Sequence, residues 1–144
     1  MHVVPFRPEH LSALRLQAAQ ASAQPLMTVE HGRQIGDQIG EAWTGLVDGR
    51  PIACAGMIEL WEGRAYAWAY LADIRRHAKA LHRAVLEALA RGRWRRVEMA
   101  VDPLHAAAKR WAAHLGFERE GVARAWTPDG RDVEIWARIA TWHR

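Results

Sequence analysis

Five basic or imidazole side chains stand close together in the middle of the chain: Arg75, Arg76, His77, Lys79 and His82. They follow an alternating apolar run and begin a helical pattern. At such a junction the first backbone N–H groups of the helix are unpaired and the helix dipole is positive. The cluster is therefore suited to bind an anion. A solvated basic loop is the alternative, and the sequence leaves both interpretations open.

Metal chemistry is not expected from these residues. His77 and His82 are five positions apart and lack the carboxylate or cysteine partners of a metal site. The single cysteine, Cys54, excludes an intramolecular disulfide and a cysteine-based zinc site. Because Cys54 lies in an apolar run, we expect a plain buried thiol.

Length and charge restrict the function classes. With 144 residues the chain is predicted to form a single domain, residues 1–144. The net charge of +4 and the arginines around Trp94 raise the question of nucleic acid, but no nucleic-acid-binding motif accompanies them. No apolar stretch approaches a membrane span, and residues 1–5 lack the pattern of a signal peptide. We expect a cytoplasmic protein without a nucleic-acid or membrane partner.

The first half of the chain predicts a strand at residues 2–6 and a helix at 8–21. A weaker helix is predicted at 29–40, where glycines recur every fourth residue at Gly32, Gly36 and Gly40. This spacing indicates either close packing against another element or a mobile segment that gates a substrate. Strands at 42–47 and 51–60 flank Asp48-Gly49, a strong hairpin signal.

A third strand, residues 64–72, carries Tyr66, Trp68 and Tyr70 on one face and small residues on the other. Rings that pack against a helix are the simpler interpretation of that face. An aromatic cage for a substrate is the alternative.

The second half begins with a helix at 78–91 and an alternating strand that ends at Val101. Asp102 is predicted to cap the next helix, with Pro103 in its first turn and Gly116 at its end. Phe117 enters the following strand. The turn residues at 127–130 then predict a hairpin between strands at 121–125 and 133–139.

The heptad at residues 115–121, Leu-Gly-Phe-Glu-Arg-Glu-Gly, resembles the LGF-x-x-E-G segment of the GCN5-related N-acetyltransferase (GNAT) superfamily. The predicted order of helices and strands is also similar to that family over nearly the full length. The resemblance implies an α+β, three-layer (α/β/α) fold: a mixed, twisted sheet of about seven strands with four helices. It also implies an acyl-CoA-dependent N-acetyltransferase, with acetyl-CoA as the donor and an amine as the acceptor.

In this family an Arg/Gln-x-x-Gly-x-Gly/Ala loop precedes the third helix and cradles the coenzyme A pyrophosphate. The apolar register of the helix places Ala80 and His82 at the two glycine positions. Side chains there narrow the approach of a phosphate but leave the N–H donors in place. The resemblance implies that these residues bind the coenzyme: Leu71, Ala72, Arg76, His77, Ala78, Lys79, Ala80, Leu81, His82, His105 and Ala108.

The resemblance also locates the chemistry. The tyrosine acid found in many members aligns with Ala112, and an asparagine with His105. In the expected fold the fourth and fifth strands splay apart, and the nearest polar residues are Tyr70, Asp73 and Glu98. Tyr70 is a candidate proton donor, and Glu98 a candidate base if burial raises its pKa. The alternative for Glu98 is an exposed strand residue paired with a neighbouring arginine.

Short blocks at residues 82–85, 95–98, 109–112, 115–118 and 128–132 look similar to GNAT-like proteins of tailed phages and prophages. This likeness supports a second hypothesis, in which transfer has been lost and the protein is a binding or virion-associated module. The substitutions at Ala80, His82 and Ala112 motivate it. Monomer and homodimer, the acceptor and the acyl chain all stay open.

Overall fold

A computed structural model describes residues 1–143 of the chain. The strands are β1 His2–Pro5, β2 Gly40–Val47, β3 Arg50–Trp61, β4 Arg64–Leu71, β5 Arg96–Val101, β6 Glu118–Ala123 and β7 Val133–Ile139. The α-helices are α1 Pro8–Ser12, α2 Val29–Gly36, α3 Ala78–Ala90 and α4 Ala106–His114, and shorter-pitched 3-10 helices cover Ala18–Leu26, Arg75–His77 and Thr141–His143. Within the described residues, the predicted seven strands and four helices are confirmed.

The seven strands form one sheet in the order β1-β2-β3-β4-β5-β7-β6. Every neighbouring pair is antiparallel except β4 and β5, which are parallel. A parallel pair needs a crossover connection, and α3 provides it. The helix therefore begins close to the end of β4, where the basic cluster lies.

Turn chemistry accounts for the elements that the sequence predicts best. Asp48 and Gly49 both have positive φ angles, 50° and 76°, as the favoured two-residue hairpin turn requires. Gly116, with φ 89°, follows α4 and ends it. The hairpin predicted around residues 127–130 is present between β6 and β7.

The prediction of a continuous helix over residues 8–21 is wrong. α1 ends at Ser12, and the chain continues through a turn into the 3-10 helix Ala18–Leu26. The Gln24 side chain accepts the Leu16 N–H at 2.8 Å and donates to the Leu14 carbonyl at 3.0 Å. In a longer helix these backbone groups would bond to other backbone groups. Here the Gln24 side chain provides their hydrogen bonds instead.

The predicted cap of α4 is also wrong. Asp102 accepts the Leu104 N–H at 2.9 Å and forms a local turn, and the helix begins at Ala106 after His105. The predicted helix at 29–40 ends at Gly36, four residues early. A Cβ on Gly32 would lie 2.7 Å from the Pro8 Cα, so this glycine allows close packing of α2 on α1. A Cβ on Gly36 would have no atom within 4 Å, so close packing does not explain all three glycines.

Two apolar layers cover the sheet. On one face Leu11, Leu14 and Met27 pack with Cys54, and the rings of Trp68 and Tyr70 contact this cluster. The interpretation of the aromatic strand face as core packing is thus confirmed for Trp68 and Tyr70. Cys54 is fully buried, and burial raises the pKa of its thiol to about 11, which keeps it protonated and unreactive at neutral pH.

The opposite face carries the larger core. It joins α3 and α4 to the sheet through these buried residues: Met57, Ala65, Ala88, Leu89, Trp94, Val97, Val101, Ala112, Leu115, Phe117 and Trp136. The tryptophans at 94 and 136 keep their indole N–H groups paired, with Glu59 and Glu134 respectively. The helices α3 and α4 are therefore held firmly beside β4 and β5.

A buried polar chain links α1 to the sheet. The His10 Nδ1 atom accepts the Arg7 N–H at 3.1 Å and lies 2.8 Å from the hydroxyl of fully buried Thr44. The Thr44 hydroxyl lies 3.8 Å from the Cys54 sulfur. Burial lowers the pKa of His10, and the Arg7 charge lowers it further.

Because the pKa of His10 is lowered in the folded state, the unfolded chain takes up this proton first as the pH falls. Stability is full above about pH 6.5 and decreases below it. We expect His10→Ala to remove this pH dependence and to lower the free energy of unfolding at pH 8 by about 1–3 kcal/mol, since it leaves the buried Thr44 hydroxyl poorly paired. Urea unfolding at pH 8 and pH 5.5 measures both effects.

The control is His114→Ala, which replaces an exposed histidine at the end of α4. It should retain the pH dependence of the unaltered protein. An equal pH dependence in His10→Ala and the unaltered protein would contradict the role given to His10.

Candidate functional site

The pairing between β4 and β5 stops early. Its register runs from Arg64 opposite Arg96 to Tyr66 opposite Glu98, and no later pair follows. β4 nevertheless continues to Leu71 and β5 to Val101. The strands therefore separate towards their C-terminal ends, as expected, and leave a wedge-shaped opening between them.

Tyrosines line one side of this opening. Tyr66 belongs to the last pair, and Tyr70 lies four residues further along β4, beyond that pair. Burial raises the pKa of Tyr66 and also that of Tyr70, so both hydroxyls keep their protons at neutral pH. The Tyr70 ring makes an edge contact with His31 of α2, with ring centroids 6.3 Å apart.

The edge of β4 beyond the last pair is covered by residues of the first 3-10 helix and its N-cap. The Gln20 side chain donates to the Ala69 carbonyl at 2.8 Å and accepts the Leu71 N–H at 2.9 Å. The Gln17 N–H donates to the Leu71 carbonyl at 2.8 Å. Sequence reasoning missed both glutamines and Tyr66. Three glutamines in a segment of small residues were the only signal, and they do not reveal where a side chain points.

The narrow end of the opening is closed by ion pairs. Arg64 donates to Glu98 at 3.0 Å, and Arg96 donates to the same carboxylate at 2.7 Å. Arg96 also reaches Glu120 of β6, with contacts of 2.6 and 2.9 Å. These four side chains join β4, β5 and β6 on one face of the sheet.

The condition for Glu98 as a base is therefore not met. Burial alone would raise its pKa, but the hydrogen bonds and charges of Arg64 and Arg96 outweigh burial and lower it. A carboxylate with a lowered pKa is a weak base. The alternative interpretation, pairing with neighbouring arginine, is confirmed, although the residue is buried and not exposed.

Asp73 follows β4 at the wide end of the opening. It is exposed, and its carboxylate forms a salt bridge with Arg75 at 3.1 Å. Leu71 and Ala72 end the same strand, and the 3-10 helix Arg75–His77 leads directly into α3. The structure thus brings the end of β4 and the basic cluster together within a few residues.

The first turn of α3 is available to an anion. His77 is its N-cap residue, and no side chain caps the turn. Ala78, Lys79 and Ala80 are exposed there, as are the preceding Arg75 and Arg76. The positive end of the helix dipole and three cationic side chains, Arg75, Arg76 and Lys79, therefore lie together at the start of α3. This arrangement fits a pyrophosphate.

The other predicted coenzyme residues lie further along α3 and at the start of α4. Leu81 is buried in an apolar cluster, and the His82 Nδ1 atom accepts the Trp111 indole N–H of α4 at 3.2 Å. His105 precedes α4 as its N-cap, and Ala108 packs against the larger core. The structure brings α3 and α4 together through His82, but it does not gather all eleven residues on one surface.

Two further features are absent from residues 1–143, the part of the chain that the structure describes. This part of the chain has no cluster of three or more His, Cys, Asp or Glu residues that could hold a metal ion. None of its helices is both long and apolar enough to cross a membrane.

Known proteins share the fold. Ard1 from Thermoplasma volcanium is 19% identical with a TM-score of 0.80, and the match covers 96% of this chain and 97% of that one. A GNAT-family acetyltransferase from Streptococcus pneumoniae is 13% identical with a TM-score of 0.64 and coverages of 96% and 99%. Mycobacterium smegmatis RimJ, solved with CoA-disulfide, is 18% identical with a TM-score of 0.64 and coverages of 96% and 81%.

No protein-family model and no curated protein sequence matches the chain. At these identities the structural likeness establishes the fold, while activity has to be argued from the site. The chain has the GNAT acyl-CoA N-acyltransferase fold.

Proposed function

We propose that this protein is an acyl-CoA-dependent N-acyltransferase, with acetyl-CoA as the donor and an amine as the acceptor. One observation carries the proposal: the uncapped, cationic start of α3 lies at the wide end of the opening between β4 and β5. An anion-binding helix terminus beside a separated strand pair suits a ligand with a phosphate end and an extended amide arm.

In this proposal the N–H groups of the first turn of α3 hold the pyrophosphate. Arg76 and Lys79 add charge at that surface, and both side chains are exposed and able to move toward a phosphate. Leu71 and Ala72, at the end of β4, direct the arm into the opening. The thioester then lies between the two strands.

The transfer requires the amine nitrogen to attack the thioester carbonyl carbon. A carbon–nitrogen bond forms, the carbon–sulfur bond breaks, and the thiolate leaves. The amine gives up one proton to water at the mouth of the opening, the thiolate takes one from an acid of the protein, and that acid regains its proton from water. We propose Tyr70 as the proton donor, because its hydroxyl is protonated at neutral pH and its strand borders the opening. Asp73 is the proposed second polar residue, at the mouth of the opening.

The substitutions that motivate a binding module without activity do not remove the proposed coenzyme contacts. Ala80 is exposed and keeps its N–H, and His82 is turned toward Trp111. Backbone donors depend on the helix and not on the side chain. Of the three substitutions, only Ala112, which lies in the buried core, still supports a non-catalytic role. The relation to phage proteins and the cytoplasmic location stay predictions from sequence.

Calorimetric titration with acetyl-CoA tests the proposal directly. We expect saturable micromolar binding that responds to the acetyl group, with coenzyme A and a nucleotide as comparison ligands. Release of free thiol in the presence of a panel of amines then measures transfer. Absence of binding by folded protein would overturn the proposed function.

Lys79→Ala should weaken the binding of acetyl-CoA about fivefold, since an exposed charge contact contributes about 1 kcal/mol. Arg93→Ala removes an equal charge beyond the opposite end of α3 and should leave the affinity unchanged. Calorimetry on the two variants compares them at equal net charge. An equal loss in both would show that only overall charge matters, against the proposed phosphate site.

Tyr70→Phe should lower kcat about a hundredfold, the lower limit for general acid catalysis, with little change in the KM for acetyl-CoA. Tyr66→Phe is the matched control, because it deletes the chain's other phenolic hydroxyl from the same face of β4. Steady-state kinetics of both variants decide the assignment. A larger loss of kcat in Tyr66→Phe would contradict Tyr70 as the proton donor.

A further inference from the structure

The separated edge of β4 has a definite hydrogen-bonding chemistry. Where β5 moves away, the Ala69 carbonyl and the Leu71 N–H face the opening as an acceptor and a donor two residues apart. Alternate residues of a strand edge present such pairs, and an extended chain with amide groups binds them as an added strand would. The arm of coenzyme A carries two amides, so it has the matching groups.

In this structure a side chain of the protein already holds that pair. The Gln20 carboxamide donates to Ala69 at 2.8 Å and accepts from Leu71 at 2.9 Å, so one side-chain amide bonds both backbone groups. The contact spans 49 to 51 residues of sequence and is not a local turn. An amide of a bound ligand would make the same two bonds from the same side.

The attachment of the segment allows Gln20 to leave without unfolding its surroundings. Gln17 keeps its own bond to the Leu71 carbonyl, at 2.8 Å, and so retains an anchor on β4. Gln24 holds the segment to residues 14 and 16 independently of β4. Ala19 and Ala21 on either side of Gln20 are exposed, so no core contact of these neighbours opposes a rotation of the side chain.

We infer that the Gln20 carboxamide is an intramolecular competitor for the β4 groups that an amide of the acyl-CoA arm uses. This inference rests on the proposed function. Binding of the thioester at this edge then requires the Gln20 side chain to leave β4. The Ala69 carbonyl and the Leu71 N–H exchange their bonds to Gln20 for bonds to the ligand. The free energy needed to break the two Gln20 bonds lowers the affinity for acyl-CoA. Gln20 is therefore a determinant of affinity outside the proposed phosphate site.

Gln20→Ala tests the inference, with Gln24→Ala as the matched control. Both remove a glutamine from the same 3-10 helix and delete two hydrogen bonds to the backbone, but only Gln20 touches β4. We expect Gln20→Ala to bind acetyl-CoA about three- to tenfold more tightly than the unaltered protein, since two modest hydrogen bonds no longer compete. Gln24→Ala should show no gain.

Hydrogen exchange at the Leu71 amide gives a second readout. Without ligand, this amide should exchange faster in Gln20→Ala than in the unaltered protein, because its acceptor is gone. Acetyl-CoA should restore its protection in the variant. Restored protection together with tighter binding supports competition at this edge.

The outcomes separate the two proposals. Absence of acetyl-CoA binding by the unaltered protein and by Gln20→Ala would overturn the proposed function, and this inference with it. Binding by the unaltered protein with equal or weaker binding by Gln20→Ala would overturn the inference alone. A gain of similar size in Gln24→Ala would also overturn it, because general loosening of the segment would then explain the effect.

Discussion

Three parallel residue pairs join β4 to β5, from Arg64 and Arg96 to Tyr66 and Glu98, and then the strands part. A parallel connection needs a crossover, and here the crossover is α3, which begins just past the end of β4. The helix start and the strand opening therefore lie at the same end of the sheet for one topological reason. An anion at the first turn of α3 is necessarily close to whatever enters between the strands.

Separation of two strands leaves backbone groups that need partners. At the wide end these partners are uncharged, because the Gln17 N–H and the Gln20 carboxamide bond the β4 edge. At the narrow end Glu98 forms ion pairs with both Arg64 and Arg96. These ion pairs lie beside the residue pairs that join β4 to β5. Ion pairs therefore connect the strands at the narrow end of the opening, while hydrogen bonds of uncharged groups cover the β4 edge at the wide end.

Local chemistry explains which features the sequence could predict. Asp48-Gly49 and Gly116 specify their backbone conformations through neighbours a few residues away, and alternating strands identify their own buried faces. The early end of α1 depends on Gln24 reaching back to residues 14 and 16, and the state of Glu98 depends on Arg64, 34 residues away. The direction of a glutamine or glutamate side chain is decided by such distant contacts. The covering of β4 could therefore not be predicted, and for Glu98 the sequence left pairing with arginine as one of two alternatives without identifying Arg64.

The substitutions that the resemblance implies at Ala80 and Ala112 affect the two parts of the proposed site unequally. The phosphate surface depends on N–H groups of α3, which remain whatever side chain stands at Ala80. The resemblance implies that the usual acid would stand at Ala112, which is 1% exposed within the core formed with Leu115 and Phe117. A tyrosine there would have to displace packed residues, so the position no longer suits a catalytic hydroxyl. In the proposed reaction, binding through the backbone is therefore compatible with Ala80, while proton transfer cannot use position 112 and falls to Tyr70 of β4.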